Sequence, residues 1–453
     1  MIDAHVAGLP PPPLSEADTG LPMSFVADLV LKVVYFNGTM LGHDIAEQVC
    51  LPFALLERPL KFLANEGYCA CAGIRKAVPQ AEEPIGAGME YAITSMGRQR
   101  ARELLDINQY AGPAPVPISE YCTVAAHQAE CEITVNRASL REAFAHLVLG
   151  GRLLDHLGPA IAARHACFLY GPSGNGKTSI ADASARLMGP PIFVPRALHA
   201  HGEVIRFFDP AYHTPTNADL PAHDRRWQLA QRPAVKVGGE LNPRMLELAF
   251  DPTLGFYEAP LQLKANGGLL LIDDFGRQQQ MSPRELLNRL IVPLENRVDY
   301  VNIARAGASI GVPFTSLLML STNLDPDDLV DEAFLRRVRY KVQVPDPTLE
   351  EYVEIWRRTC AARGIAISDK VIMGLIQRQY VRKGRHLRGS HARDLVDHVV
   401  HLCRYLEVPP QVTPTLLDMA CETYFVDPRP GWTRIPRVRT GGALRGGGLA
   451  GVG

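Results

Sequence analysis

The sequence predicts an α/β fold: a parallel sheet with helices on both faces, followed by a C-terminal helical lid. Apolar runs alternate with helical segments between residues 120 and 345, the pattern of strands joined by crossover helices. From residue 346 to 427 strand-like runs stop. TLEEYVEIWRRTCAARG, DKVIMGLIQRQYVRK, ARDLVDHVVHLCRYL and TPTLLDMACETYF all carry helical spacing there. The third observation is the segment Phe168 to Ser179, FLYGPSGNGKTS, in which a glycine-rich loop joins the apolar run Cys167–Tyr170 to a helical stretch.

Taken in order, residues 1–21 form a Pro-rich leader expected to lack fixed structure. Residues 22–108 read as one small domain. SFVADLVLKVVYFNG is a helix stopped by Gly38, and LGHDIAEQVCLP with FALLERPLKFLANEGY makes a helix–turn–helix pattern. Pro59 removes a backbone donor inside the second of these, which predicts a kink or a restart. Two strands, YCACAGI and MEYAIT, and a closing helix, SMGRQRARELLDI, complete the unit. Residues 109–119 are a Pro-rich linker, 120–345 the α/β core, 346–427 the helical lid and 428–453 a flexible Gly/Arg tail.

Bulk properties exclude several classes. The 47 Lys+Arg balance 48 Asp+Glu, unlike a surface built throughout for polyanions. Apolar stretches are broken by charges such as Asp28 and Lys32, so no membrane span is predicted. No Lys or Arg precedes Lys32, which argues against a secretory signal. The nine cysteines lack C-x-x-C spacing and fit reduced thiols in a cytoplasm. Cys69 and Cys71 would share one face of a strand, leaving a metal or redox role as an alternative to plain packing.

The chemistry concentrates at strand ends. Gly171, Pro172, Ser173, Gly174, Asn175, Gly176, Lys177, Thr178 and Ser179 form a phosphate-binding loop. Glycines let successive N–H groups face one anion, and the helix start adds positive potential. Lys177 is placed to reach β- and γ-phosphates, and Thr178 to put its hydroxyl on Mg²⁺. GGLLLIDDF, 267–275, is a buried strand ending in Asp273, for the water shell of Mg²⁺, and Asp274, to polarise the attacking water. LLMLSTN ends in Asn323, a partner for the γ-phosphate or that water. In DEAFLRRVRYKVQV, Arg337 or Arg336 would stabilise transition-state charge at a neighbouring subunit's phosphate. Arg393, in RGSHARDL, would return to the phosphates from the helical region. For Asn323, Arg337 and Arg393 taken singly, a structural surface role is the competing reading.

This order of motifs strongly resembles the AAA+ ATPase family over residues 130–425. The matching parts are GPSGNGKT, LLLIDD, the strand ending at Asn323, FLRRVR and GSHARDL. The resemblance implies ATP and Mg²⁺ as cofactors and a ring, usually a hexamer, with ATP between subunits. Arg337 matches the arginine-finger position best. ANGGLLLIDD and the two strand-like pieces around Gly307 resemble the clade with a β-hairpin before sensor one. The whole chain, through HGEVIRFFDP, HDRRW, GFYEAPLQLKANGG and VDEAFLRRVR, also resembles bacterial ATPases with chaperone activity associated with Flp pilus assembly. YAITSMGRQRA resembles the wing and closing helix of winged-helix domains. One departure stands out: the family has Asp-Glu where this chain has Asp273-Asp274, which suggests slow hydrolysis.

Three functions compete: an ATP-driven remodeller of protein complexes, an ATP-switched DNA-binding regulator, and a nucleotide-binding scaffold with little turnover. Residues 22–108 hold eight Lys/Arg and ten Asp/Glu, which favours a protein partner or adaptor over nucleic acid. Phe256 and Tyr257 are either a pore grip for extended polypeptide or core aromatics, and the hairpin at 299–312 competes for the pore. His213, His223 and Asp224 offer an irregular metal set as a further alternative.

Overall fold

The computed structural model describes residues 8–74, 85–131, 133, 135–216, 220–329 and 335–426. Residues 75–84 between YCACAGI and MEYAIT, the DEAF residues before Leu335 and the Gly/Arg tail lie outside these. The chain forms two compact units, Met1–Glu351 with Arg388–Ser390, and Tyr352–Leu387 with the residues from His391 onward.

The first unit is built around five parallel strands. Their spatial order is Ala234–Val237, Leu269–Ile272, Leu317–Thr322, Cys167–Tyr170 and Tyr340–Gln343. The sequence alternation predicts this parallel α/β architecture. Strands apolar on both faces suit a sheet covered on both sides. Along each strand, alternate side chains divide between two cores. Phe168, Leu270, Ile272, Leu318 and Leu320 face one side with Leu286, Leu287 and Leu290 of helix Pro283–Asn296. Cys167, Leu169, Leu269, Leu271, Leu317 and Met319 face the other with residues of helices Gly151–Ala162 and Lys177–Ala185. The period of two along a strand dictates this division.

The stretch between the glycine loop and Asp273, unassigned from sequence, builds most of a second five-stranded sheet. Its order is Ala249–Asp251, Phe256–Glu258, Glu203–Arg206, Ala197–Ala200 and Val116–Pro117. Phe256 and Tyr257 lie in a strand here, 7% and 1% exposed, so they are core aromatics rather than a gripping loop. The hairpin follows its prediction, Val298–Ile303 against Ala308–Pro313, turning through Gly307 at φ 61°. Its tip is tied down. The Arg305 N–H donates to the Tyr257 hydroxyl at 3.0 Å, and the Arg305 guanidinium lies 4.9 Å from the Phe250 ring centroid.

Residues 23–107 fold as helix Met23–Asn37, strand Thr39–Leu41, helices Gly42–Val49 and Phe53–Asn65, strands Cys69–Ile74 and Met89–Ile93, and helix Ser95–Ile107. Thr39–Leu41, a strand the sequence did not announce, pairs antiparallel with Met89–Ile93. Helix Phe53–Asn65 runs through Pro59 without a restart. Pro59 is buried beside Leu56, Leu60 and Leu63, and this packing offsets the one missing hydrogen bond.

The leader departs from the expectation of disorder from Gly8 onward. Ser15 caps the short helix Glu16–Thr19 through a reciprocal capping box, and Pro10 and Pro13 are buried. The Pro10 carbonyl accepts from the Asp224 N–H at 2.9 Å. The linker is packed too: Val116–Pro117 pairs with Leu198–His199, and the Tyr110 hydroxyl donates to the Pro113 carbonyl at 2.7 Å.

The second unit is helical, as predicted. Helices Leu349–Ala361 and Gly389–Tyr405 enter it from the first unit, and Asp369–Leu375 and Pro414–Tyr424 lie within it. Asp369–Leu375 continues into a π-helical turn, Ile376–Val381. Tyr352, Trp356, Tyr380, Leu395, Val399 and Leu417 fill its core, where the Tyr352 hydroxyl donates to that of Tyr380 at 2.6 Å.

Candidate functional site

In an open parallel sheet, ligands gather beyond the carboxyl ends of the strands. Three neighbouring strands deliver polar groups there. The glycine loop follows Tyr170, Asp273 and Asp274 follow Ile272, and Asn323 follows Thr322. Strand Leu317–Thr322 separates the loop strand from the aspartate strand, so Asn323 emerges between them.

Backbone geometry shapes the loop. Gly171, Gly174 and Gly176 take φ of 136°, 85° and 82°, which L side chains rarely adopt. A Cβ on Gly171 would also lie 2.3 Å from the Val344 carbonyl oxygen. Helix Lys177–Ala185 begins directly after Gly176, so its first N–H groups open toward the loop. Lys177 Nζ donates to the carbonyls of Gly171 at 2.9 Å and Pro172 at 3.0 Å. Burial lowers the Lys177 pKa, while Asp273 and Asp274 pull it back up. Ser173 is exposed on the loop, and Ser179 is half-buried on the first helical turn.

Thr178 Oγ1 donates to Asp273 Oδ2 at 2.6 Å. This pair is an all-oxygen donor set suited to a hard divalent cation. Asp273 Oδ1 accepts from the Asp274 N–H at 2.9 Å, turning the chain sharply after the strand. Asp274 has φ of 47°, a left-handed conformation. Gln278, which sequence reasoning passed over, closes this turn. Its Nε2 donates to the carbonyls of Asp273 at 3.2 Å and Asp274 at 3.3 Å, while its Oε1 accepts from the Gly276 N–H at 3.0 Å. Among the described residues, the buried Asn323 Oδ1 has no partner. An acceptor in that state suits a ligand or water donor.

Asn175 extends the site. Its Nδ2 donates to the Pro345 carbonyl at 3.0 Å and to Asp346 Oδ1 at 2.8 Å, and its Oδ1 accepts from the Gly389 N–H at 3.3 Å. Arg388 pairs with the same Asp346 carboxylate, and the Ser390 N–H donates to the Gly174 carbonyl at 2.8 Å. The guanidinium bonded into this cluster is therefore that of Arg388, five residues before Arg393. The signal lay in the first letter of RGSHARDL. Arg393 Nε donates to Asp394 in the helical unit at 3.1 Å. Arg337 pairs with Glu295 of helix Pro283–Asn296, and Arg336 is exposed on the same turn, before strand Tyr340–Gln343.

The irregular metal set does not assemble, and among the described residues no cluster of three or more His, Cys, Asp or Glu could hold a metal. His213 Nδ1 accepts from the Asp209 N–H at 3.0 Å, so its Nε2 donates to the Lys264 carbonyl, 2.9 Å away. Burial lowers its pKa, consistent with that neutral ring. His223 Nδ1 lies 3.0 Å from the Pro221 carbonyl, and Asp224 is bonded to Arg226. Cys69 is buried and Cys71 exposed, both as free thiols.

A family model described as a domain of unknown function, DUF8689, matches residues 348–423. No curated protein matches the chain. Among solved structures, a point mutant of Thermotoga maritima RuvB is similar at 16% identity and a TM-score of 0.35, over 60% of this chain and 69% of its own. The Thermotoga maritima RuvB Holliday junction branch migration motor is similar at 15% identity and 0.34, over 66% and 74%. Brucella abortus NtrX in complex with ATP is similar at 16% identity and 0.35, over 65% of this chain and 58% of NtrX.

Proposed function

We propose that this chain is an ATP-binding and ATP-hydrolysing member of the AAA+ family that remodels or assembles protein complexes as an oligomeric ring. The observation that carries the reading is the 2.6 Å contact between Thr178 Oγ1 and Asp273 Oδ2 beside Lys177 and the left-handed glycines of its loop. Backbone N–H groups of 174–178 receive the triphosphate, and Lys177 exchanges its two carbonyl partners for phosphate oxygens. Thr178 and Asp273 would hold Mg²⁺, which when bound would neutralise developing phosphate charge. Asp274 orients the attacking water, and the unpartnered Asn323 Oδ1 accepts a hydrogen bond from it. Arg337 contributes its charge to a neighbouring protomer's site.

Residues 22–108 form a winged-helix domain that binds protein rather than DNA. In helix Phe53–Asn65 both cations are engaged by carboxylates, Arg58 with Glu16 at 3.1 Å and Lys61 with Glu57 at 3.5 Å. Residues 22–108 also carry eight Lys/Arg against ten Asp/Glu, without the basic excess of a phosphate-binding face. Lys177→Ala is expected to weaken ATP affinity by at least about 100-fold, measured by calorimetry; unchanged affinity overturns the loop assignment. Arg337→Ala is expected to retain ATP and lose turnover. Mixing the two variants is expected to restore partial activity if sites are shared between subunits.

A further inference from the structure

The turn that carries Asp273 and Asp274 is anchored on both sides of Asp274. The Asp273 N–H donates to the Val237 carbonyl, at the end of edge strand Ala234–Val237, at 2.7 Å. On the other side, the Phe275 N–H donates to the Ser321 carbonyl at 2.7 Å, and the Phe275 carbonyl accepts from Thr322 Oγ1 at 2.9 Å. Phe275 is buried, with its ring centroid 5.5 Å from that of Phe168 in an edge-on contact. Asp274, between these anchors, is exposed. Among the described residues, no hydrogen bond holds its carboxylate, so the backbone sets where that group points. A crankshaft rotation of the two peptides around Asp274 swings the carboxylate and leaves both anchors in place.

One side chain opposes that rotation. Gln278 Nε2 faces three carbonyls, those of Asp273 at 3.2 Å, Asp274 at 3.3 Å and Gly238 at 3.3 Å, while its Oε1 accepts from the Gly276 N–H at 3.0 Å. The first two carbonyls belong to the two peptides that flank Asp274. Gly238 directly follows strand Ala234–Val237, so Gln278 also joins the ends of two neighbouring strands. A primary amide donates twice and accepts without carrying charge, which this set of partners requires. Glutamate there accepts only, and lysine donates only. The carboxylate so directed acts across the site: with Asp273 it pulls the Lys177 pKa up against the effect of burial. A bracket that merely stabilises the fold is the competing role, but Asp273 and Phe275 are already fixed to neighbouring strands without Gln278. What the amide adds is the orientation of Asp274, held in left-handed backbone at φ 47°.

We propose that Gln278 is a positioning residue for ATP hydrolysis, holding the two peptides around Asp274 so that its carboxylate meets the attacking water. The assignment rests on the reading of this site as an ATPase centre. Misplacing a reacting group by about 1 Å costs about 100-fold in rate. The triphosphate itself is received by the glycine loop and Lys177, which Gln278 does not touch. Gln278 therefore acts on turnover and leaves ATP affinity alone, and it acts only through Asp274.

The test compares the full chain with Gln278→Glu, Asp274→Asn and the double variant, by steady-state phosphate release, ATP calorimetry and melting temperature. Glutamate is nearly isosteric with glutamine, but at neutral pH it opposes the three carbonyls instead of gathering them. Gln278→Glu is expected to lower kcat about tenfold or more, with an unchanged melting temperature and ATP affinity within about twofold. Added to Asp274→Asn, it is expected to lower kcat no further, because no carboxylate remains to be aimed. Losses that multiply in the double variant overturn the proposal. So does a Gln278→Glu kcat within about twofold of the native value, or a loss of turnover matched by losses of affinity and melting temperature. Should Gln278→Glu fail to fold, Gln278→Met keeps the length without charge and makes the same comparison. Absence of phosphate release from the native chain overturns the ATPase reading and this assignment with it. Native turnover that Gln278→Glu leaves intact overturns the assignment alone.

Discussion

At the scale of single residues, backbone conformation accounts for the second carboxylate of LLLIDD. Asp274 sits at φ 47° because its N–H turns back to Asp273 Oδ1 and Gln278 clamps the carbonyls of Asp273 and Asp274. Asp and Asn tolerate left-handed backbone through their short polar side chains, whereas for longer side chains it costs about 1 kcal/mol or more. The local fold therefore prefers the shorter acid, and the Asp-Asp pair is compatible with the turn rather than a defect in it. Asp274→Asn is expected to preserve the melting temperature and ATP affinity while lowering kcat about 100-fold or more. Asp274→Glu is expected to lose about 1 kcal/mol of stability without raising kcat. A faster Asp274→Glu enzyme of native stability would contradict this account.

At the scale of elements, the hairpin is an anchored strut. Asp299 is 2% exposed and accepts from Arg289 Nη1 at 2.6 Å, Arg289 Nη2 at 3.1 Å and Gln262 Nε2 at 2.9 Å. Removing one partner of such a pair strands the other, whereas replacing both with apolar groups does not. Asp299→Ala is expected to cost about 3 kcal/mol by denaturant unfolding, and Asp299→Leu with Arg289→Met distinctly less. Equal losses would show that packing, not stranded charge, sets the penalty.

The strut also marks where the sequence was legible. The glycine loop, the aspartate strand and the hairpin each had a local signature of spacing or turn residues, so each was readable one segment at a time. The second sheet had none. Ala197–Ala200 and Phe256–Glu258 are three- or four-residue strands, each in a short hairpin with a neighbour, Glu203–Arg206 and Ala249–Asp251, and the pairings that join these hairpins to each other and to Val116–Pro117 lie far apart along the chain. Arg388 escaped for a related reason. Its role depends on Asp346 and Asn175, neither near it in sequence.

At the scale of the first unit, the Pro-rich leader and linker join the N-terminal domain to the α/β core instead of leaving it on a tether. Arg226, 1% exposed, donates through Nη1 to the Thr19 carbonyl at 2.8 Å and the Pro115 carbonyl at 3.4 Å, and pairs with Asp224 at 2.7 Å. One buried guanidinium thus ties leader, linker and core together. Phe25 against His199 at 5.1 Å and Tyr110 against Phe256 at 5.9 Å add aromatic contacts across the same junction. A domain fastened this way moves with the core. Arg226→Met leaves Asp224 buried without its cation and two carbonyls without a donor, a loss of about 3–5 kcal/mol. Calorimetry of the native chain should show residues 8–351 unfolding as one transition. In Arg226→Met an early transition should separate, with faster amide exchange across 23–65 and little change in helix Lys177–Ala185. Independent melting of the N-terminal domain in the native chain would show that leader and linker do not couple it to the core.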